Sequence, residues 1–363
     1  MTRFLKGENM LLRHSKNQIW QVVDSCAYGG IESHILYLAT ALKEEKHNVY
    51  VVFLNDYGVH PLEARLKEKA IPYVKCHGIL SYLNLIKVFN PMLIHSHGYK
   101  ANLASRVAGK VFNIPTVSSF HAGDCETMRL KFYTTLDRKT AFLTQPVAVN
   151  EYIANSVSGT PQVIDNFVPM PPYYKDVQNI QNIGFVGRLS HEKGADRFVD
   201  LASRFPTMDF HVFGDGVMKA ELQANATDNV KFHGHTETMV SAWKTMDILC
   251  MPSRKEGLPM AALEAMSHGI PVLAYGAGAL PKLITDGENG WLLDLPEGAQ
   301  THTFDMESAL RTLTIPHVRN CGIKARETIK TAYSQHVLIA KFIKLYEGIT
   351  RYKKDADKAL YYV

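Results

Sequence analysis

Two glutamates spaced eight positions apart, Glu256 and Glu264, lie in the segment SRKEGLPMAALEAMSHGIPV (253–272). Pro259 stands between them and is suited to the first position of a helix, where a backbone N–H is not needed. The amides that open such a helix, with the positive end of its dipole, bind anions. Carboxylates accept hydrogen bonds from the paired hydroxyls of a sugar. The segment indicates a site for a diphosphate and a sugar, although from the glutamates alone a solvated helix face is the favoured interpretation.

A second segment, GFVGRLSHEKG (184–194), carries Arg188 and Lys193 in a glycine-flanked loop after an apolar run. The planar fork of arginine and the point charge of lysine are the usual partners of phosphate oxygens. At the carboxyl end of a strand, both would face the same cleft as the helix that starts at Pro259. Ordinary surface cations in weak salt bridges are the alternative for either residue taken alone.

Short apolar runs alternate with helical patterns, which is typical of a mostly parallel sheet with helices on both faces. In the first half, the predicted strands are 19–25, 48–54, 91–97, 114–121, 146–150 and 161–166, with a helix over 31–46. In the second half, they are 182–187, 209–214, 229–234, 247–253, 270–275 and 289–294, followed by a helical tail. The predicted fold class is α/β, with two doubly wound, Rossmann-like domains facing each other across a cleft. Ligands are expected at the carboxyl ends of the strands.

The same patterns set the expected domain boundaries. The predicted segments are a leader at 1–17, an N-terminal domain at 18–169, a linker at 170–181, a C-terminal domain at 182–333 and a tail at 334–363. The linker is assigned because this stretch is rich in proline and polar residues.

Composition restricts the class of protein. The 363 residues are 46% hydrophobic and 21% charged, as in a globular protein with full cores. No apolar run reaches the roughly 20 residues of a membrane span, and the charged N-terminus does not read as a secretory signal. The five cysteines are odd in number and dispersed, which suits a reducing cytoplasm and indicates neither a disulfide framework nor a zinc site.

The basic excess lies in the first half of the chain. Residues 1–165 carry 18 Lys+Arg against 13 Asp+Glu, a difference of +5, whereas the remainder carries 22 of each. Such a charge is compatible with an anionic membrane surface or an acidic ligand, although from charge alone a solvated face is favoured.

Together, the two segments resemble the retaining glycosyltransferases of the GT-B fold, and family 4 in particular. Members carry G-R-x4-K-G at the start of the C-terminal domain and E-x7-E further along it. Here these motifs are Gly187-Arg188…Lys193-Gly194 and Glu256…Glu264. Further matches, which extend the resemblance over about residues 19–350, are AYGGIESHILYLATAL (27–42), VFGDG (212–216), VKFHGH (230–235) and DGENGWLL (286–293).

The resemblance implies roles for single residues of the second domain. Arg188 and Lys193 would bind the donor's pyrophosphate and stabilise the departing nucleoside diphosphate. Glu256 would bind hydroxyls of the transferred sugar, and Glu264 would bind the ribose. The other donor-binding residues expected are Gly29, Gly30, Gly234, His235, Gly257, Leu258, Pro259 and Met260.

In the first domain, the resemblance places His121 against the sugar near the reacting carbon, so that it joins Arg188, Lys193 and Glu256 as the expected catalytic residues. His97 and Asn102 are weaker candidates for the acceptor side. The tail helix is implied to pack back on this domain.

The pair Gly29-Gly30 has a plainer interpretation. Two glycines between a strand and a helix allow close approach to phosphate, but alone they are favoured as a tight turn. Dinucleotide binding is weak here, because GxGxxG and the acidic residue expected after it are missing.

No metal and no cofactor are implied beyond a nucleotide-diphosphate sugar as co-substrate. The only Asp-x-Asp is Asp355-Ala-Asp357, in a charged tail where a solvated face is favoured over a metal site. Both motif glutamates are assigned to binding, which disfavours the paired-acid chemistry of a glycosidase.

The function expected is a retaining, metal-independent glycosyltransferase (EC 2.4 class) that moves a sugar to a hydroxyl of a glycan or glycolipid. Synthesis of a cell-surface polysaccharide or lipopolysaccharide is the setting expected by analogy. The enzyme would be cytoplasmic, with peripheral contact at the inner face of the membrane through its basic N-terminal domain, and without nucleic acid as a partner. The alternatives are a sugar-nucleotide epimerase or phosphorylase of GT-B type and a non-catalytic carbohydrate-binding relative.

Overall fold

The computed structural model describes residues 17–121, 128–236, 239–296 and 303–360, with the backbone alone for Arg129 and for 352–360. The chain divides into two compact units. The first domain comprises Met1–Asp165 and Leu338–Val363, and the second comprises Asn166–Val337. The predicted leader, apart from Asn17, lies outside the described residues.

The first domain contains a seven-stranded sheet in which every adjacent pair of strands is parallel, in the order β3-β2-β1-β4-β5-β6-β7. Its strands are β1 (Gln18–Val23), β2 (Asn48–Phe53), β3 (Tyr73–Lys75), β4 (Leu93–His97), β5 (Thr116–Phe120), β6 (Gln145–Ala148) and β7 (Gln162–Val163). Its helices are α1 (Gly30–Glu44), α2 (Pro61–Glu68), α3 (Ile79–Phe89), α4 (Tyr99–Val111), α5 (Met128–Lys139) and α6 (Glu151–Ala154).

The second domain contains a six-stranded parallel sheet in the order β10-β9-β8-β11-β12-β13. Its strands are β8 (Asn182–Val186), β9 (Asp209–Phe213), β10 (Val230–Gly234), β11 (Ile248–Met251), β12 (Val272–Tyr275) and β13 (Gly290–Leu293). Its helices are α7 (Ala195–Ser203), α8 (Lys219–Asn225), α9 (Val240–Thr245), α10 (Met260–Ser267), α11 (Leu280–Leu283), α12 (Phe304–Thr312) and α13 (Ile315–Thr328). The last helix, α14 (Gln335–Leu360), belongs to the first domain from Leu338 onward.

Central strands of both sheets are buried along their whole length, as expected for parallel sheets covered by helices. All six residues of β1 are buried, and so are the four residues of β11 and of β12. Their apolar runs therefore supply the cores. The predicted α/β class with two doubly wound domains is confirmed.

Strand order reverses between β1 and β4 in the first sheet and between β8 and β11 in the second. In doubly wound sheets, ligands bind at the carboxyl ends of the strands beside such a reversal. The loops after β8 and β11 contain Arg188, Lys193 and Glu256, whereas His97 ends β4. The topology thus brings most of the candidate site residues to two places, the loops after β8 and β11 in the second domain and the end of β4 in the first.

Every predicted strand is present, and one strand, β3, was missed because it has only three residues. The predicted first helix, at 31–46, is α1, which begins and ends slightly earlier. The tail is helical as predicted, but it is broken after α12 and by a π-helical turn at Ile329–Tyr333. Among the helices of the described residues, none combines the length and the apolar character needed to cross a bilayer.

Candidate functional site

The loops after β8 and β11 pack directly against each other in the second domain. The backbone amides of Arg254 and Lys255 donate to the carbonyl oxygen of Glu192, at 2.8 and 3.2 Å. Gly194 has a φ of +69°, and a Cβ on it would lie 2.1 Å from the carbonyl oxygen of Pro252. This glycine is therefore required both by its backbone conformation and by the close approach of the two loops.

An ion pair reinforces this contact. The Arg254 guanidinium donates from both terminal nitrogens to the Asp196 carboxylate, at 2.7 and 2.6 Å, and to the carbonyl oxygen of His191 at 2.7 Å. Burial tends to raise the pKa of Asp196, but hydrogen bonding to Arg254 and its charge outweigh burial and lower that pKa. Sequence reasoning missed Arg254, although it lies two positions before Glu256.

Lys193 and Glu256, one from each predicted motif, form an ion pair. Lys193 Nζ lies 2.7 Å from Glu256 Oε2, and Ser253 Oγ donates to Glu256 Oε1 at 2.8 Å. The Glu256 side chain is 1% exposed, whereas that of Lys193 is 27% exposed. The carboxylate is thus held in one orientation while the ammonium remains accessible to an incoming anion.

Arg188 is the more accessible cation. Its side chain is 69% exposed and lies 3.3 Å from Glu192, four positions later. Its backbone is fixed from both sides, because Leu189 N donates to Asp215 O at 2.9 Å and a Cβ on Gly214 would lie 1.9 Å from Gly187 O. A fixed backbone with an exposed guanidinium suits the capture of a charged ligand.

Helix α10 begins at Met260, so that the prediction of Pro259 as its first residue is wrong by one position. Pro259 takes the N-cap place with φ −72° and ψ 125°, an extended conformation that proline favours. Proline has no side-chain oxygen with which to cap the amides that open the helix. These amides therefore suit an anionic oxygen, and a diphosphate at this place stays a prediction.

The segment before α10 is fixed by neighbouring backbone. Ala279 N donates to Gly257 O at 2.9 Å, and Asn166 Nδ2 donates to Leu258 O at 2.8 Å. Gly278 has a φ of +60°, and a Cβ there would lie 2.1 Å from Glu256 O. The loop after β12 thus holds the backbone of the predicted diphosphate site.

The remaining predicted residues of the second domain lie in α10 and at the end of β10. Glu264 is partly buried within α10, and Gly234 ends β10 with a φ of +68°. Gly234 O accepts from Gly214 N at 2.8 Å, which links this strand end to the loop that fixes Arg188. His235, the next residue, is exposed.

In the first domain, His97 and His121 are brought together at the ends of β4 and β5. His97 Nδ1 lies 3.1 Å from His121 Nε2, and His97 Nε2 lies 2.7 Å from Gln21 Oε1. Because an amide oxygen only accepts, His97 carries its proton on Nε2 and accepts from His121 at Nδ1. Burial, with the neighbouring imidazoles, lowers the pKa of His97 well below its ordinary value.

The polar contacts continue from Gln21 across the sheet. Gln21 Nε2 donates to the Tyr346 hydroxyl at 3.4 Å, and that hydroxyl lies 2.6 Å from His95 Nδ1. His95 Nε2 lies 2.7 Å from Ser119 Oγ. Since alternate residues of a strand share a face, the register that pairs Gln21 with His95 and His97 with Ser119 explains the cluster. The i,i+2 spacing of His95 and His97 was the only sequence signal for it.

Two other residues predicted for the first domain, Asn102 and Gly29, make contacts that stabilise the fold. Asn102 is fully buried, accepts from Ser96 Oγ at 2.8 Å and donates to Asp137 at 3.1 Å. Gly29 is the N-cap of α1 with φ −153°, and its amide donates to Glu32 at 2.8 Å. A phosphate at the pair Gly29-Gly30 would meet that carboxylate, which favours the tight-turn interpretation.

Comparison with known proteins places this geometry in a family. Residues 28–168 match the model of Glycosyltransferase Family 4, and residues 180–304 match that of Glycosyl transferases group 1. An uncharacterized glycosyltransferase of Methanocaldococcus jannaschii is 25% identical over 294 residues, which are 73% of this chain and 80% of that one. The O-antigen biosynthesis glycosyltransferase WbnH of Escherichia coli is 31% identical over 136 residues, or 37% of this chain and 39% of that one.

The fold is shared with a solved structure. The structure of HepE from Anabaena in complex with UDP-glucose has a TM-score of 0.76 at 18% identity, covering 90% of this chain and 99% of that one. The predicted resemblance is confirmed, and the chain belongs to the family 4 and group 1 glycosyltransferases of the GT-B fold.

Proposed function

We propose that this enzyme moves a sugar from a nucleotide-diphosphate donor to a hydroxyl of a glycan or glycolipid, with retention of the anomeric configuration. The observation that carries the proposal is the Lys193–Glu256 ion pair, which lies at the strand-order reversal of the second sheet. Arg188 extends into solvent from the same loop as Lys193. Two cations and a fixed carboxylate are thus available to one diphosphate and one sugar.

Each group has a part in the proposed reaction. As the bond between sugar and diphosphate breaks, negative charge develops on the departing diphosphate. Arg188, Lys193 and the opening amides of α10 stabilise that charge, which is commonly the largest single contribution in such a site. Glu256 accepts hydrogen bonds from sugar hydroxyls, and Glu264 from the ribose. His121 contacts the sugar, and the backbone at Gly234 and His235 contacts the base.

Retention is supported by the state of Glu256. Both of its carboxylate oxygens already accept hydrogen bonds, one from Lys193 and one from Ser253, which assigns this side chain to orienting the sugar rather than to attacking the anomeric carbon. We infer that an oxygen of the leaving diphosphate takes the acceptor's proton, while the acceptor oxygen bonds to the anomeric carbon on the face that the diphosphate leaves. The two cations supply the charge for which other transferases use a metal ion, so that no metal is required.

The donor and acceptor are best sought among the ligands of similar proteins. HepE was solved with UDP-glucose, and WbnH is an O-antigen biosynthesis enzyme. We therefore propose a uridine-linked hexose as the first donor to test and a lipid-linked or soluble oligosaccharide of a cell-surface polymer as the acceptor.

A direct experiment combines the purified chain with UDP-glucose and an acceptor panel in the presence of EDTA. Proton NMR of the product then reports the anomeric configuration. An α-linked product from the α-linked donor, at a rate that EDTA leaves unchanged, is expected. A β-linked product would refute retention, and an epimerised donor without acceptor would favour the epimerase alternative.

Peripheral membrane contact is proposed through α5. Met128, Phe132 and Leu136 recur at four-residue spacing on this helix, with 82%, 66% and 39% of their surfaces exposed. Exposed Lys131 and Lys139 flank them. An apolar stripe beside basic residues suits an anionic bilayer, which would bring the enzyme to lipid-linked acceptors at the cytoplasmic face.

Flotation with vesicles tests this contact. The wild-type chain should float with vesicles rich in phosphatidylglycerol and not with phosphatidylcholine alone, and Phe132→Ser/Leu136→Ser should abolish flotation. Equal flotation of the double variant would refute a role of α5.

A further inference from the structure

Three histidines of the first domain converge from different elements. His34 lies in the second turn of α1, His97 ends β4 and His121 follows β5. Each offers one ring nitrogen, and the three nitrogens all lie within 4.8 Å of one another. We propose that His34, His97 and His121 form a binding site for a late first-row divalent cation, with zinc as its first occupant.

The spacing of the nitrogens fits such an ion. Zinc binds histidine nitrogen at about 2.0–2.1 Å in tetrahedral geometry, which separates two ligand atoms by about 3.3 Å. His97 Nδ1 and His121 Nε2 are already 3.1 Å apart. All three nitrogens lie within 4.8 Å of one another, so the widest pair would have to approach by at most about 1.5 Å to reach the tetrahedral separation.

The hydrogen bond beyond His97 fits the same role. A histidine that binds a metal donates its other ring N–H to an oxygen acceptor, which fixes the tautomer and the ring orientation. Gln21 Oε1 is that acceptor at 2.7 Å from His97 Nε2. With its proton on Nε2, His97 directs the lone pair of Nδ1 toward His121. The metal would lie between these two rings. Gln21 is itself held by Tyr346.

The ligand set also selects among metals. Three imidazoles suit zinc, copper, nickel and cobalt, whereas magnesium, manganese and calcium prefer carboxylate and water oxygens. Three protein ligands leave the fourth tetrahedral position open to water or another small ligand. When the metal binds, the His121 proton moves from Nε2 to Nδ1, so that one cation replaces one hydrogen bond.

Metal binding has a consequence that rests on the proposed function. If His121 contacts the sugar during transfer, a metal on its Nε2 removes that nitrogen from the reaction. Zinc should therefore inhibit transfer, and a chelator should restore it. The binding site itself does not depend on the chain being a transferase.

The test begins with full-length protein freed of metal by dialysis against a chelator. Competition with a chromophoric chelator should show one tight zinc per chain, and X-ray absorption should show three histidine nitrogens. His34→Ala and His97→Ala should each weaken binding on the order of 100-fold, and Gln21→Ala about 10-fold. His77→Ala, at an exposed histidine, is the matched control and should bind as the wild type does.

Cobalt provides a measurement that needs no variant. The wild-type chain with one equivalent of Co²⁺ should show the intense visible bands of a tetrahedral ion. Octahedral bands, or zinc binding by the wild type no tighter than by His34→Ala, would overturn the proposal. Tight binding without inhibition would support the site and refute the role of His121, whereas transfer without tight binding would refute the site and support the function.

Discussion

The two domains gather polar groups at the same topological position by opposite means. In the second domain, the groups are charged, and ion pairs such as Lys193–Glu256 and Arg254–Asp196 hold them in place. In the first, the groups are imidazoles, an amide and two hydroxyls, and burial keeps His95 and His97 neutral. Charged groups suit stabilisation of a charged leaving group, whereas a buried neutral cluster orients lone pairs. The same fold thus presents two different chemistries.

The largest effect is expected from Lys193→Met, which removes a cation from the leaving group and leaves Glu256 buried without its partner. Turnover should fall about 10²–10³-fold, comparable to the loss of one charge-stabilising donor. The second domain should also lose about 3 kcal/mol of stability, because an uncompensated buried charge is costly. Steady-state kinetics and urea unfolding measure the two losses.

The double variant Lys193→Met/Glu256→Gln separates these contributions. Its stability should recover, since neither charge remains, while its turnover stays low. Recovery of turnover would contradict the proposed roles of both residues, because neither the Lys193 cation nor the Glu256 carboxylate would then be needed for transfer.

The variant Gly194→Ala tests the contact between the β8 and β11 loops. The added Cβ combines left-handed backbone strain with a clash against Pro252, which should cost about 3 kcal/mol. Gly234→Ala is the control, because its φ is +68° while a Cβ there would meet nothing within 4 Å among the described residues. It should cost about 1 kcal/mol, the strain alone. Thermal unfolding of both variants gives the difference, and equal losses would mean that close packing contributes nothing.

The first-domain cluster predicts a loss of stability in mild acid. His95 and His97 have folded-state pKa values well below the ordinary value, so below about pH 6.5 the unfolded chain takes up protons that the folded domain does not. Stability is therefore complete above pH 6.5 and falls as the pH is lowered, by about 1.4 kcal/mol for each residue at pH 5.5. Hydrogen exchange of peptides from β1 and β4 measures it. A His97→Gln variant should show a shallower dependence, and an unchanged slope would contradict the assignment.

A smaller effect is expected for Arg254→Lys. Lysine keeps the charge but loses the two-point contact with Asp196, which should cost about 1 kcal/mol and lower turnover a few-fold through movement of the Glu256 loop. Because the pKa of Asp196 is lowered by folding, its contribution is present above about pH 3.9 and is lost as the pH falls below that value. In the variant, the free energy of unfolding should fall less between pH 5 and pH 3, as measured by urea unfolding. A change in turnover without a change in stability would contradict the role of Arg254 in holding the loop.

Much of the fold followed from local patterns, because buried parallel strands are nearly continuous apolar runs. β3 was not predicted, because Tyr73–Lys75 is too short to show an apolar run or an alternation of apolar and polar residues. Arg188, Lys193 and Glu256 were selected as candidate site residues through their motifs. Their partners were not, because Arg254 and Asp196 are 58 positions apart and no local pattern joins them. The histidine cluster depends on sheet register, which the sequence does not display.

The bond between His95 and Tyr346 joins residues 251 positions apart. Most of the first domain leaves the ribosome early, but this hydroxyl is synthesised only after the second domain. Until then, His95 Nδ1 and Gln21 Nε2 lack their hydrogen-bond partner at the centre of the sheet. The second domain is therefore expected to complete its folding before the first, so that order of maturation during synthesis is the reverse of order along the chain.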